Sequence, residues 1–537
     1  MGASSSVDKP SPAQQEEESL AASTGSLPML QNVFAKLSSP ESKAVPVKSL
    51  QDILSLNIKN LLAESLPVPE CFPQLLNNLG PSIVGLFFDT DQEYIHWVDF
   101  LRGYNRCCGR MPASSYINNL CKLYSTSGRE TGIGSEMIFG SDTDGGKVSG
   151  NLKLSDLLLL LWTCWIMSQS AKILKICKGS TALILPDISH LITSAYISCN
   201  EVGDELNVRD CKSLGFEKDI SVQKLHLWIL TTVPGLAHCL MQYVQDRFHA
   251  CVTSEDELDS SILLLSDSSV DYHDTCLLTC GRAWAISLTF RDTVNEELSR
   301  SCFPRKSTET LDGLLYRSSL HGKGLNRFWS NVEGYRGPLL LVLSANSADT
   351  TGGESSCGQW VIGILTAQGF ENKDTFYGGS GCLYALSPVF RVFSPSGRDK
   401  NFVYTHLHPS VRVYDPHPKP VGLAFGGVLG NERIFIDEDF SRVTVRHHAM
   451  DKTYQSGPLI PNQGFLATEA FILDFEVWGL GGKAMKDYQD AYKRREQLFS
   501  EQRRKVDLKT FASWEDSPEK MMLNMMADPN RVQREDR

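Results

Sequence analysis

The residues best suited to chemistry sit at Gly379-Ser380-Gly381-Cys382, where a hydroxyl and a thiol lie two positions apart among glycines. His406, His408, His447 and His448 are the imidazoles that would serve as base. A serine or cysteine nucleophile needs such a base within hydrogen-bond reach. The hydrolase elbow that presents one has the pattern G-x-S-x-G between a strand and a helix. Here glycines flank Ser380 directly, an apolar run of strand type follows, and no acid stands at a diagnostic spacing. A hydrolase-like or redox enzyme using Ser380 or Cys382 with a histidine base is therefore the second reading, and no catalytic residue is assigned.

Acidic stretches raise the question of metal. Asp142-Thr143-Asp144-Gly145-Gly146-Lys147 begins like a calcium loop. Such a loop needs glycine at its sixth position and a bidentate glutamate at its twelfth, and those places hold Lys147 and Lys153. A start at Gly140 ends on Asn151, and the stretch Asp89, Asp91, Glu93 puts Tyr94 and Phe100 at the two key positions. Cys276 and Cys280 with His273 lack the spacing of a zinc site. No metal, cofactor or small-molecule substrate is expected.

The chain opens Met1-Gly2-Ala3-Ser4-Ser5-Ser6, the pattern for N-myristoylation of Gly2. A single acyl chain holds a membrane only marginally. Glu16, Glu17 and Glu18 follow where a polybasic patch would help, so a second attachment has to come from a protein partner or another lipid. Residues 1–27 otherwise have the composition of a flexible arm.

These features have to be carried by a chain of 537 residues, 42% apolar and 21% charged, long enough for two or three cores. The net charge of −11 excludes a dedicated nucleic-acid binder. The 15 cysteines, without a C-x-x-C pair or an apolar leader, read as reduced cytosolic thiols. Residues 28–253 show mostly helical periodicity, with prolines that keep the first helices short. The apolar runs 157–167 and 225–244 read as core helices, the first too short to span a bilayer and the second broken by Pro234 and Gly235. Residues 254–279 form an acidic linker interrupted by Ile262-Leu263-Leu264-Leu265. From 280 to 482 short β-type runs alternate with turn residues, the clearest at 339–343, 360–365, 382–386, 402–406, 434–437, 443–446 and 471–478. In the last, Phe471, Leu473, Phe475 and Val477 fall on one face by strand period.

The turns of this region resemble the TLDc family. Leu314-Leu315-Tyr316-Arg317-Ser318-Ser319-Leu320-His321-Gly322 is similar to its opening segment, Gly337-Pro338-Leu339-Leu340-Leu341-Val342 to a following strand, and Phe376-Tyr377-Gly378-Gly379-Ser380-Gly381-Cys382-Leu383-Tyr384 to a third element. Residues 422–427 and 435–437 resemble its glycine-rich region, and Glu476-Val477-Trp478-Gly479 its close. The layout is most similar to the mTOR-associated, lysosome-linked branch. His447-His448-Ala449-Met450 and the Gly/Ser/Thr-rich residues 347–356 depart from the pattern. An α+β protein is expected: a helical, degenerate EF-hand-like half read from the loops above, then the antiparallel β-sandwich with flanking helices that the resemblance implies, and a C-terminal helix. The resemblance also implies oxidative-stress or TOR-type nutrient signalling and binding to the vacuolar-type proton ATPase (V-ATPase). Together with the Gly2 motif and the thiol reading above, the expectation is a cytoplasmic lipoprotein reversibly associated with lysosomal, vacuolar or other endomembranes. The resemblance establishes no catalytic residues, so the function expected is that of an adaptor. Tyr316 and Trp478 read as core aromatics.

The tail, 483–537, begins as a long helix with Met485, Tyr492, Phe499 and Val506 at seven-residue intervals, widened by Tyr488 and Leu498. Lys493, Arg494, Arg495, Arg503, Arg504 and Lys505 cover its other faces. Such a stripe packs along another helix or docks on the chain's own β domain. Met485, Tyr488, Tyr492, Phe499 and Val506 are the candidate partner-binding residues. Met521, Met522, Met525 and Met526 add an adaptable surface beyond them.

Overall fold

The computed structural model describes residues 11–56, 69–90, 93–129, 131–133, 136–140, 147–177, 183–200, 215–253, 276–290, 296–303, 313–347, 358–408, 418–461, 463–515, 520 and 522. Gly2 and Ser6, the loop residues Asp91, Asp142 and Asp144, His273, residues 262–265 and 348–356, and Met521, Met525 and Met526 lie outside them, as does the side chain of Val506.

The arm expected over residues 1–27 is helical from Pro12 to Ser23. Ser11 caps it by accepting the Gln14 N–H, and the Gln/Glu/Ala run that follows consists of good helix formers. Its glutamates are also engaged: Trp97 Nε1 donates to Glu18 at 2.9 Å and Asn105 Nδ2 to Glu17 at 2.7 Å. That docking is the reason it departs from a flexible arm.

Helix–loop–helix pairs follow. The loop entering Val47–Leu54 and the loop entering Trp97–Cys108 are bridged by Val45–Pro46 and Tyr94–Ile95, with Val45 opposite Ile95. Val148–Lys153 and Asp219–Ser221 join the loops that enter Leu154–Ser168 and Val222–Thr232. The backbone thus pairs neighbouring loops of helix–loop–helix units, the scaffold expected of a degenerate EF-hand-like half. The long apolar run breaks at Val233, where Val222–Thr232 and Pro234–Val252 meet at 106°. Among the described residues no single helix is long and apolar enough to cross a membrane. Cys107, Cys108, Cys121, Cys164, Cys199, Cys239 and Cys302 are buried and outside any disulfide.

The seven β-type runs are all strands. They belong to one 11-stranded antiparallel sheet that curls on itself, so the two layers of the expected sandwich are hydrogen-bonded into a single surface. At its centre is Thr468–Gly479, paired on one edge with Leu339–Ser347. Its other edge is shared by Arg442–Val445 and Leu314–Arg317. A bulge between Ile472 and Asp474 shifts the register. The strand period therefore inverts there: Ile472, Phe475 and Val477 face the inner core while Phe471 and Leu473 are exposed, which corrects the single face read from the sequence. The inner core also holds Tyr316, Phe328, Phe425 and Phe440. The sheet's outer face presents Leu340, Val342, Tyr384, Phe390 and Trp478 to the helical half, in one continuous apolar core. The halves are also joined by hydrogen bonds, Trp165 Nε1 to Cys302 O at 3.0 Å and Phe390 N to His190 O at 3.1 Å.

Candidate functional site

The strongest polar cluster lies where the central strand leaves the sheet. The Glu476 carboxylate is fully buried and accepts from Leu277 N at 2.8 Å, Leu278 N at 3.1 Å and Trp478 Nε1 at 3.0 Å. Burial pushes its pKa above the usual carboxylate range, and these hydrogen bonds offset that only in part. Two residues earlier, burial acts the same way on Asp474 but is outweighed by hydrogen bonds from Ser318 and Arg317, which hold that carboxyl low. Arg317 Nε lies 2.9 Å from Asp474 and 3.5 Å from Glu476. This network clamps the segment 276–280 to the sheet. Its residues are occupied with one another, so it is structural. Tyr316 and Trp478 are buried beside it, as core aromatics.

The tail helix, Gly482–Glu515, starts from the same edge. Its first turns dock on the end of the short helix Leu325–Val332. The last carbonyls of a helix lack intrahelical donors and carry its negative dipole end. Gln489, fully buried, donates to Asn331 O at 2.8 Å and Glu333 O at 3.1 Å, and Lys493 Nζ donates to Asn331 O at 3.0 Å. Tyr492 Oη donates to Glu333 at 3.1 Å, and Arg336 lies 4.6 Å over the Tyr488 ring. Met485 packs on the inner core. Gly334 makes the approach possible: its φ is +80°, and a Cβ there would meet the Tyr492 ring at 2.4 Å.

The stripe read from the sequence is therefore divided. Met485, Tyr488 and Tyr492 are held by the sheet domain, whereas Phe499 is 57% and Leu498 58% exposed. Val506 lies on the same helix beyond the described side chains. Gln489 was missed because polarity hid it, although 485, 489 and 492 follow the i, i+4, i+7 spacing of one helix face. From 494 to 505 the helix carries five cations and two carboxylates, all exposed.

The structure does not assemble the serine–cysteine–histidine reading. Cys382 donates to Phe393 O at 3.4 Å, and burial pushes its thiol up to about 11, the reverse of what a nucleophile requires. Ser380 is exposed in the turn between Lys373–Tyr377 and Gly381–Ser387. His408 pairs with Glu438 at 2.9 Å, His406 sits by Tyr404, and His447 caps Ala449 N. Among the described residues no group of three or more His, Cys, Asp or Glu side chains is placed to hold a metal ion.

Residues 291–481 match the TLDc domain family. The mTOR-associated protein MEAK7 of Danio rerio is 28% identical over 183 residues, 34% of this chain and 35% of that protein. Oxidation resistance protein 1 of Xenopus tropicalis is 26% identical over 166 residues, 31% of this chain and 15% of that protein. The chain thus spans about a third of the first relative and less of the second. Neither relative is named for a catalysed reaction.

Proposed function

The chain carries a TLDc domain over residues 291–481, and from that premise we propose that it is a non-catalytic adaptor that engages a helical partner through the outer half of its tail helix. The single observation that carries this reading is the exposure of Leu498 and Phe499 on a cationic helix whose inner half is fixed to the domain. A pre-ordered helix with an apolar pair beyond its docked turns loses little conformational freedom on binding. The leading partner is the V-ATPase, and a myristoyl group on Gly2 would bring the adaptor to lysosomal or other endomembranes. One relative's association with mTOR and another's with oxidation resistance favour a regulatory role in nutrient or oxidative-stress signalling.

Replacing Phe499 with Asp tests the proposal. Burial of that ring contributes about 1.5–3 kcal/mol, so recovery of V-ATPase subunits with the variant should fall by roughly ten- to a hundredfold. Gln497→Ala is the matched control and should recover the partner as the wild type does. Partner recovery unchanged by Phe499→Asp would sink the reading. So would a loss that merely follows the amount of folded protein.

A further inference from the structure

Two connections meet at one end of the sheet. Val445 pairs with Thr468, so residues 446–467 leave and return there. Asn431–Asp437 runs antiparallel beside Arg442–Val445, which brings the turn after Val428 to the same end. This end is apolar: Phe465 and Leu466 are each 85% exposed, Met450 57%, Val428 47% and Leu429 40%. The exposed pair stands on a fixed base. Leu459 and Ile460 are buried, Gln463 Nε2 donates to Arg446 O at 2.7 Å, and Leu459 N donates to Gln463 Oε1 at 2.8 Å. The Phe465 ring stacks on His447 at 4.3 Å, with His448 beside it. The sheet therefore holds two large apolar side chains out from its end as a convex tip.

The charges around the tip are unlike those of the whole chain. Of the local carboxylates, Glu432 and Asp451 are buried and neutralised by Arg446 and Arg433, each at 3.1 Å, and the exposed Glu469 lies 3.6 Å from Arg442. The segment 394–401 is tied in by Asn401 Nδ2 to Gly427 O at 2.6 Å and Ser396 N to Thr453 O at 2.8 Å. It brings Arg398 and Lys400 beside Lys452, all exposed, against a half-exposed Asp399. On a chain of net charge −11, an end with an excess of cations, like the cationic tail helix, is a place an anionic surface would attract.

We propose that this end contacts membrane, with Phe465 and Leu466 entering the boundary between headgroups and acyl chains of an anionic bilayer and the neighbouring cations meeting lipid phosphates. A convex pair this exposed needs a medium that closes around it, which a bilayer supplies at any point of contact. The contact is separate from the tail helix, which follows the far end of Thr468–Gly479 and docks on residues 331–336. It adds to an acyl chain the second attachment that a single myristoyl lacks.

The test uses the full chain made in bacteria, so that Gly2 carries no lipid, in flotation with vesicles of phosphatidylcholine alone or with about 30% phosphatidylserine. Wild type should float with the anionic vesicles, and Phe465→Asp/Leu466→Asp should lower the bound fraction at least ~10-fold. Lys400→Glu/Lys452→Glu should weaken binding to the anionic vesicles selectively. Phe465→Trp should show quenching by brominated lipid beyond that of wild type. Because the tip is exposed, the variants should melt as wild type does, and Phe499→Asp should float normally, which separates this contact from the tail's. Three results overturn the proposal: no flotation of wild type, equal flotation of the double aspartate variant, or a photo-crosslinker at position 465 that captures a protein while vesicles leave the chain unbound.

Discussion

His190 lies in the seam between the helical half and the sheet, and its protonation should loosen that seam. Its carbonyl accepts Phe390 N, its ring meets the Phe390 ring at 6.1 Å, and its Nε2 has no hydrogen-bond partner. Burial lowers its pKa from the ordinary 6.5 to about 4, with Arg282 adding to the effect and Asp187 and the Gly281 backbone opposing it. A folded value below the unfolded one means that the unfolded chain binds the proton more tightly. The stability is therefore fully present above pH 6.5 and is lost as pH falls toward 4. The gap corresponds to about 3 kcal/mol in the limit, with about 2 kcal/mol already gone at pH 5. Denaturant unfolding of wild type and His190→Leu at pH 7, 6, 5 and 4 isolates this share, since every other titrating group is common to both. The leucine variant should lose less stability on acidification, by about that amount. Parallel pH profiles for the two proteins would refute the reasoning.

Glu476→Gln replaces an acceptor by a group that must turn an amide donor toward Leu277 N, Leu278 N or Trp478 Nε1. Leaving a buried donor unpaired costs about 1–3 kcal/mol, so the variant should unfold at least about 1 kcal/mol more easily in guanidinium. A change within experimental error would mean that the clamp contributes nothing. Gly334→Ala places a Cβ into the Tyr492 ring at a positive φ, so amide exchange over residues 485–493 should speed up while the rest of the sheet keeps its protection. Alkyne-myristate labelling should mark wild type and spare Gly2→Ala, and equal labelling of both would remove the acyl anchor.

The elements of this fold were legible because their signals are local. Short apolar runs bounded by glycine, proline and asparagine marked the strands, and Pro28 stands in the first turn of Leu27–Leu37 as its fixed φ prefers. What stayed hidden depends on contacts between distant segments. The bulge at Ile472 and Asp474 leaves no mark in residue types, so a plain two-residue period carried Phe471 to the wrong face. The joining of two layers into one sheet is a matter of pairing. The helix Pro12–Ser23 is stabilised by Trp97 and Asn105, some 80 residues away, which no window of the sequence reports.

The tail shows the same limit at a candidate site. A seven-residue repeat says that one helix face is apolar, and it treats Tyr492 and Phe499 alike. The structure separates them by what each meets. Tyr492 reaches Glu333 across a glycine that leaves no room for a side chain, while Phe499, two turns on, is largely exposed. The point of departure is set by the dimensions of the docking helix. Leu325–Val332 ends in carbonyls that Gln489 and Lys493 reach, whereas Gln497 and Ser500 are exposed. A repeat that continues past the end of its own support is an argument for a second support. The exposed apolar pair, carried with five cations on a helix already ordered by the domain, is therefore a surface where binding would cost little conformational entropy.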